Sequence, residues 1–188
     1  MKESRLLTIE EGAGCLHDGG VIAYPTEAVY GLGCDPGNES AVRTILELKS
    51  RPASAGLVLI ADQPERFAPY IRPVDEAHWE PALASWPGPV TWLFPRAPGV
   101  PDWLAGSHPT IALRVTAHEG CRALCRAFGG PVVSTSANPR GEEPARTTDD
   151  VERYFSAELC GILAGELGEQ NQPSEIRDLL TGKVIRSG

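Results

Sequence analysis

Four groups of residues in this chain have the types and spacing to handle an anionic ligand. Tyr24-Pro-Thr-Glu27 follows a short apolar run and leads into Tyr30-Gly-Leu-Gly33. A strand stopped by Pro25 leaves Thr26 near a sheet edge, where ligands of α/β folds bind. Lys49 and Arg51 stand at the C-terminal end of a helical pattern. Two cations there can cradle phosphates, and they equally suit the negative pole of a helix. Arg114 lies in the apolar run Ile111-Ala-Leu-Arg-Val115. It needs a buried partner or a ligand cleft, unless its strand turns that face to solvent. Ser134-Thr-Ser-Ala-Asn138 follows another apolar run and offers hydroxyls and an amide to a phosphate, ribose or carboxylate. A turn or helix cap uses the same residues. Two cationic groups and two hydroxyl-rich strand ends together point to an anionic ligand.

Other chemistries have little footing. The sequence holds no G-x-x-x-x-G-K-[ST] phosphate loop, no G-x-G-x-x-G, no H-E-x-x-H and no G-x-S-x-G. Gly31-Leu-Gly33 lacks the third glycine of a dinucleotide motif and reads as a turn. His118, Cys121 and Cys125 recur at helical spacing and could share a face. A closed structural metal site needs a fourth ligand, and none is signalled, so that face reads as core and no metal site is assigned. The five cysteines, at 15, 34, 121, 125 and 160, are odd in number and follow no secretion signal. They read as free thiols in a reducing cytosol.

These groups must be positioned by alternating helices and strands. Thr8-Ile-Glu-Glu11 has the spacing of a capping box and predicts a helix through Leu16, ended by Gly19-Gly20. Val21 to Tyr24 predicts a buried strand. Asn38 caps a helix whose apolar positions are Val42, Ile45 and Leu46, and Pro52 closes it after Lys49 and Arg51. Further strands are expected at Leu57–Ala61, Val90–Phe94, Ile111–Val115 and Pro131–Ser134. The tail offers three more at Gly161–Leu163, Ile176–Asp178 and Val184–Arg186. Helices are expected at Gln63–Tyr70, Asp75–Trp86 and Thr148–Phe155. Arg140 to Asp150 reads as a surface loop or a mobile lid over a site. The interleaving predicts an α/β fold, a single-domain open twisted mixed sheet flanked by helices over residues 1–188.

Composition narrows the function classes. The 188 residues carry a net charge of −8, unlike a generic basic nucleic-acid binder. No run of about 18 apolar residues exists to cross a membrane, and a cytoplasmic location is expected. Of the 17 basic residues 14 are Arg, the side chain suited to bidentate phosphate and carboxylate contacts, although a high-GC genome gives the same bias.

Five motifs stand in one order: Tyr24-Pro-Thr-Glu-Ala-Val-Tyr-Gly-Leu-Gly33, Lys49-Ser-Arg-Pro52, Trp86-Pro-Gly-Pro-Val-Thr91, Ile111-Ala-Leu-Arg-Val115 and Ser134-Thr-Ser-Ala-Asn138. In these the chain resembles the YrdC family of threonylcarbamoyl-AMP synthases, from about residue 8 to 188. Length and the ending Ile185-Arg-Ser-Gly188 are similar to the short bacterial form. The resemblance implies a large concave cleft. It also implies a nucleotidyltransferase that makes threonylcarbamoyl-adenylate and pyrophosphate from L-threonine, bicarbonate and ATP with magnesium, for modification of tRNA at position 37. By the same resemblance Lys49 and Arg51 act in catalysis and bind ATP with Thr110, Ser136, Asn138 and Arg186. Thr26, Arg114, Ser134 and Ser174 bind threonine. Downstream tRNA threonylcarbamoyl transferase proteins are the implied partners, with at most weak contact to tRNA or double-stranded RNA. The chain departs from the family pattern at Ala55-Gly56 and Ile60, where many members carry Asn-Pro and His. Three other readings remain: a carbamoyl-adenylate-forming domain of the hydrogenase-maturation type, a double-stranded RNA-binding or ribosome-maturation module without adenylate synthesis, and a generic nucleotide-binding regulator that binds ATP without threonine dependence.

Overall fold

A computed structural model describes residues 5–155 and 158–188. The chain begins with a two-residue strand, β1 (Leu6–Leu7), and helix α1 (Ile9–His17). Thr8 and Glu11 form the full capping box: Glu11 N–H donates to Thr8 Oγ1 at 3.2 Å and Thr8 N–H to Glu11 Oε2 at 2.9 Å. Strands β2 (Ile22–Pro25) and β3 (Tyr30–Gly33) make an antiparallel pair. Helix α2 (Glu39–Leu48) is capped by Asn38, whose Oδ1 accepts from Ala41 N–H at 3.1 Å. Then come β4 (Val58–Ala61), α3 (Glu76–Ser85), β5 (Val90–Pro95), α4 (Asp102–Ala105) and β6 (Thr110–Val115). The chain continues through α5 (Glu119–Phe128), β7 (Val132–Ser136), α6 (Thr148–Phe155), β8 (Gly161–Leu163), β9 (Glu175–Asp178) and β10 (Val184–Arg186). Gln63–Tyr70, expected as a helix, holds a 3₁₀ helix over Pro64–Tyr70, with Pro64 at its start and Pro69 within it.

The strands form one mixed sheet in the order β1-β8-β2-β3-β7-β4-β6-β5-β9-β10. Side-chain alternation sends the strands' residues to two separate cores. Ile22 of β2, Ile60 of β4 and Val132 of β7 meet Leu16 of α1 and Leu124 of α5. Their neighbours Ala23, Leu59, Ala61 and Val133 meet Val42 and Ile45 of α2 and Leu104 of α4. Helices therefore cover both faces, as an α/β sheet requires.

Two expectations are corrected, and one strand was not foreseen. Gly31-Leu-Gly33 is not a turn but the body of β3, with Gly31 opposite Tyr24 and Ser136. A Cβ on Gly33 would lie 2.5 Å from the Tyr24 ring and 2.7 Å from the Val133 carbonyl, so glycine is there to let β2 and β7 close in. Second, the cysteines are not all free. Cys15 and Cys160 form a disulfide with Cα atoms 6.3 Å apart. The sheet order makes this possible: β8 lies beside β2, and Cys160 N–H donates to Val21 O at 2.8 Å, next to the end of α1. The unforeseen strand, β1, carries no signal of its own in the sequence; its two residues pair in parallel with β8, far along the chain.

His118, Cys121 and Cys125 serve the architecture. His118 Nδ1 caps α5 by accepting from Cys121 N–H at 3.3 Å. The Cys121 thiol donates to Pro25 O and the Cys125 thiol to Ile60 O, fixing α5 to β2 and β4. Burial raises both thiols, Cys125 to about 12, so they stay protonated. Among the described residues no group of three or more His, Cys, Asp or Glu is gathered for a metal ion.

Candidate active-site cleft

The ends of β2, β3, β4, β6 and β7 open into a cleft of about 500 Å³. Seven of the expected site residues line it: Thr26, Arg51, Arg114, Ser134, Ser136, Ser174 and Arg186. Lys49, Asn138 and Thr110 are not among its lining residues.

Arg114 is buried in β6, and its Nη1 lies 3.0 Å from Glu27 Oε1. That oxygen also accepts from Thr116 Oγ1 at 2.7 Å and from Ala117 N–H at 3.3 Å. Burial pushes the Glu27 carboxyl up, but the Arg114 charge and the Thr116 hydroxyl outweigh it and hold it below the usual carboxylate value. Both sequence-level readings of Arg114 are thus realised at once, an ion pair and a cleft wall. Glu27, named in its motif without a role, is that partner; the only signal for it was a lone charge in an apolar strand. Thr26 stands at the end of β2, its hydroxyl donating to Val29 O at 2.6 Å with its lone pairs left to accept.

Arg51 leaves α2 through two residues of loop. Its guanidinium donates to Gly56 O at 2.9 Å and to Ala55 O at 3.3 Å. Ala55-Gly56, where many members of the resembled family carry Asn-Pro, supplies the carbonyls that aim Arg51. Gly56 adopts φ 63, and a Cβ there would lie 2.7 Å from the Ala105 carbonyl. Ile60, where the family carries His, is wholly buried in the core under α1 and α5.

Arg186, in β10, donates to the Ser174 carbonyl at 2.6 Å, and the Ser174 hydroxyl accepts from Thr91 at 3.1 Å. Burial lowers the pKa of Arg51 and the charge of Arg186 lowers it further; burial and then Arg114 do the same for Arg186. Arg186 is thus close enough to both Arg51 and Arg114 to be repelled by them, which an anion beside it would relieve. A fourth, Arg146, lines the cleft from the loop between β7 and α6 and had no signal in the sequence. Arg140 to Asp150 accordingly forms part of the cleft wall, through Glu143, Pro144 and Arg146.

Lys49 is the C-cap of α2 and is turned away from the helix-dipole role. Its ammonium donates to the Ser136 carbonyl, to Asn138 O at 2.9 Å and to Asn138 Oδ1 at 3.1 Å. All three of its protons have acceptors at the exit of β7. Burial, and then Arg51, bring its pKa down to about 8, so it is still mostly charged at neutral pH. Asn138 Oδ1 also accepts from the Ser136 hydroxyl at 2.7 Å, and its amide donates to Glu142 O. Thr110 begins β6, two strand repeats and about 13 Å from Arg114 on the same face. Ser134 is buried in β7 at the back of the cleft.

The mouth is crossed by the segment between β8 and β9. Gly168 N–H donates to Thr26 O at 2.9 Å and Gln170 N–H to Glu27 O at 3.0 Å. Gln170, Asn171 and Gln172 line the cleft from that strap. The whole is a concave site with hydroxyls at strand ends and guanidinium groups around it, suited to a small, highly charged ligand.

The family profile described as Sua5/YciO/YrdC, telomere recombination, matches residues 14–188. A protein of Cellvibrio japonicus named threonylcarbamoyl-AMP synthase is 50% identical over 178 residues, 95% of this chain and 94% of that one. One of the same name from Stenotrophomonas maltophilia is 47% identical over 189 residues, covering 100% of both. Among solved structures, P. abyssi Sua5 complexed with L-threonine superposes with a TM-score of 0.88 at 30% identity, over 95% of this chain and 53% of that one. E. coli YciO superposes with a TM-score of 0.86 at 26% identity, over 98% and 96%.

Proposed function

This chain belongs to the Sua5/YciO/YrdC family, and from that premise we propose that it is a threonylcarbamoyl-AMP synthase. The reaction joins L-threonine, bicarbonate and ATP into threonylcarbamoyl-adenylate, releasing pyrophosphate and water. The observation that carries this reading is the cleft itself, where Arg51, Arg114 and Arg186 converge beside the hydroxyls of Thr26, Ser134 and Ser174.

The residue roles are those the family resemblance implies, and the placement of charge in the cleft supports them. The threonine amine takes up carbon dioxide as a carbamate, and a carbamate oxygen then displaces pyrophosphate from the α-phosphorus. Such a transfer needs aligned reactants and neutralised phosphate charge more than covalent help from the protein. Arg114, fixed by Glu27, receives a carboxylate beside Thr26 and Ser134, with Ser174 at the other wall. Arg51 and Arg186 face the phosphates with Ser136. Lys49 and Asn138 act on the nucleotide through the loop they hold, and Thr110 extends the same face of β6 away from Arg114. Magnesium enters with ATP as part of the substrate. Of the two carboxylates lining the cleft, Glu27 is committed to Arg114 and Thr116, which leaves Glu143 on the loop.

In this reading the enzyme is a nucleotidyltransferase of the cytoplasm, and its product goes to a transferase that modifies tRNA at position 37. A net charge of −8 disfavours direct capture of tRNA. The arginines lie inside a concavity, a setting for a small anion rather than a duplex. The test is pyrophosphate release from ATP with magnesium and bicarbonate, with and without L-threonine. Threonine-dependent release is expected, and Arg51→Ala should lower it about 100-fold or more. Release indifferent to threonine, from folded protein, would overturn the reading and favour a binding module.

A further inference from the structure

The cleft holds one guanidinium that no motif predicts, and among the described residues one long contact alone holds it. Arg146 is exposed, and its side chain makes a single long contact, Nη1 to Ala28 O at 3.4 Å. Its backbone is held firmly all the same. Ala145, just before it, donates to Ala137 O at 3.0 Å and accepts from Tyr30 N–H at 2.8 Å. Arg146 N–H itself donates to Asp150 Oδ2 at 3.2 Å, at the start of α6. A backbone held at the exit of β7 therefore carries a long, exposed cation into the cleft, with its guanidinium reaching toward Ala28 in the turn after β2.

The other cations in and around the cleft are less available. The Lys49 ammonium is shared among Ser136 and Asn138 acceptors. Arg51 gives both Nε and Nη2 to the carbonyls of Ala55 and Gly56, and Arg186 gives Nη2 to Ser174. Arg114 is neutralised by Glu27. A triphosphate, or pyrophosphate leaving from it, calls for donors that can follow the departing oxygens, and the donors of Lys49, Arg51 and Arg186 are partly held by carbonyls. Arginine supplies that through paired N–H donors.

We infer that Arg146 is a phosphate-contacting residue of this cleft, closing on the β- and γ-phosphates of the nucleotide and on pyrophosphate as it leaves. The inference deepens the proposed reaction and rests on it. A threonine carboxylate beside Arg114 and Thr26 is the competing anion, since Ala28 belongs to the same turn as Thr26, and the experiment separates the two.

The experiment compares wild type, Arg146→Ala, Arg146→Lys and a charge-matched control, Arg43→Ala, whose arginine pairs with Glu39 on exposed helix α2. Inorganic pyrophosphate is titrated into each protein by calorimetry, and steady-state kinetics are measured for ATP and for threonine. Arg146→Ala is expected to weaken pyrophosphate binding and raise KM for ATP by about 10- to 100-fold, in line with loss of a charge-assisted contact. KM for threonine should stay within about twofold, Arg146→Lys should recover part of the loss, and melting should be unchanged. Pyrophosphate binding equal to that of Arg43→Ala, or a rise confined to KM for threonine, would overturn the inference. If wild type shows no threonine-dependent turnover, the reaction falls, and the pyrophosphate titration still decides the anion site separately.

Discussion

Glu27 and Arg114 bring opposite charges into a wall nearly closed to water, where either alone is strongly destabilising. The need for a partner was legible in Arg114, a charge among Ile, Ala, Leu and Val. The partner's identity was not, because it is set by how the turn after β2 meets the end of β6. Glu27→Gln removes the charge and keeps the shape. Urea unfolding at pH 7 should show a loss of up to roughly 3–5 kcal/mol. The pH dependence has a definite sign. The folded carboxyl is held below its ordinary value of 4.5, so the native state releases that proton more readily than the unfolded chain does. Its stabilisation is complete above the ordinary value and fades as pH falls through the lower, folded one. The variant should lack that acid-side slope, and its KM for threonine should rise more than its KM for ATP. A variant as stable as wild type, with the slope intact, would mean that Glu27 does not hold Arg114 in solution.

At the scale of elements, signals confined to a few neighbouring residues were read well. The capping box of α1, the Asn38 cap of α2 and the bounds of α6, β8 and β10 all follow from short-range chemistry. What failed was β3, because Tyr30-Gly-Leu-Gly33 has the composition of a turn and becomes a strand only between β2 and β7. Its glycines answer to distant neighbours, not to local backbone preference. One substitution made at two glycines separates these causes. Gly14 lies in α1, and an added methyl there would meet nothing within 4 Å, so Gly14→Ala should stabilise by about 0.5–1 kcal/mol through helix propensity. Gly33→Ala places a methyl 2.7 Å from the Val133 carbonyl and should cost about 1–3 kcal/mol. Shifts of the urea midpoint with the same sign at both sites would sink this account of β3. The cleft would register the change as well, since β3 carries Gly31 into its wall.

Over the whole molecule, the sheet order decides what the linear sequence leaves open. It brings the turn after β2, the end of α2, the middle of the chain and the tail strap to one cleft. It also places β8 beside β2 and so brings Cys15 to Cys160, a pairing that the reading of five free thiols did not expect. Nothing in the spacing of five cysteines selects that pair; only the neighbouring of two distant elements does. The bond closes a loop across 145 positions and ties α1 to the entry of β8, whose far end leads into the strap over the site. In the chain-entropy account a loop of that length restrains the unfolded state by up to about 5 kcal/mol. For a chain of this size, reduction or Cys15→Ser should then lower the melting temperature by on the order of 10 °C. Alkylation of the oxidised, denatured protein should label three thiols, Cys34, Cys121 and Cys125. Burial raises each of these above its ordinary value, so they are poor partners for exchange in the folded protein. A melting temperature indifferent to reductant, or five labelled cysteines after oxidation with glutathione disulfide, would show that the pair stays reduced in solution. The staple would then be absent, and β8 would be held to β2 by its ladder and the core alone.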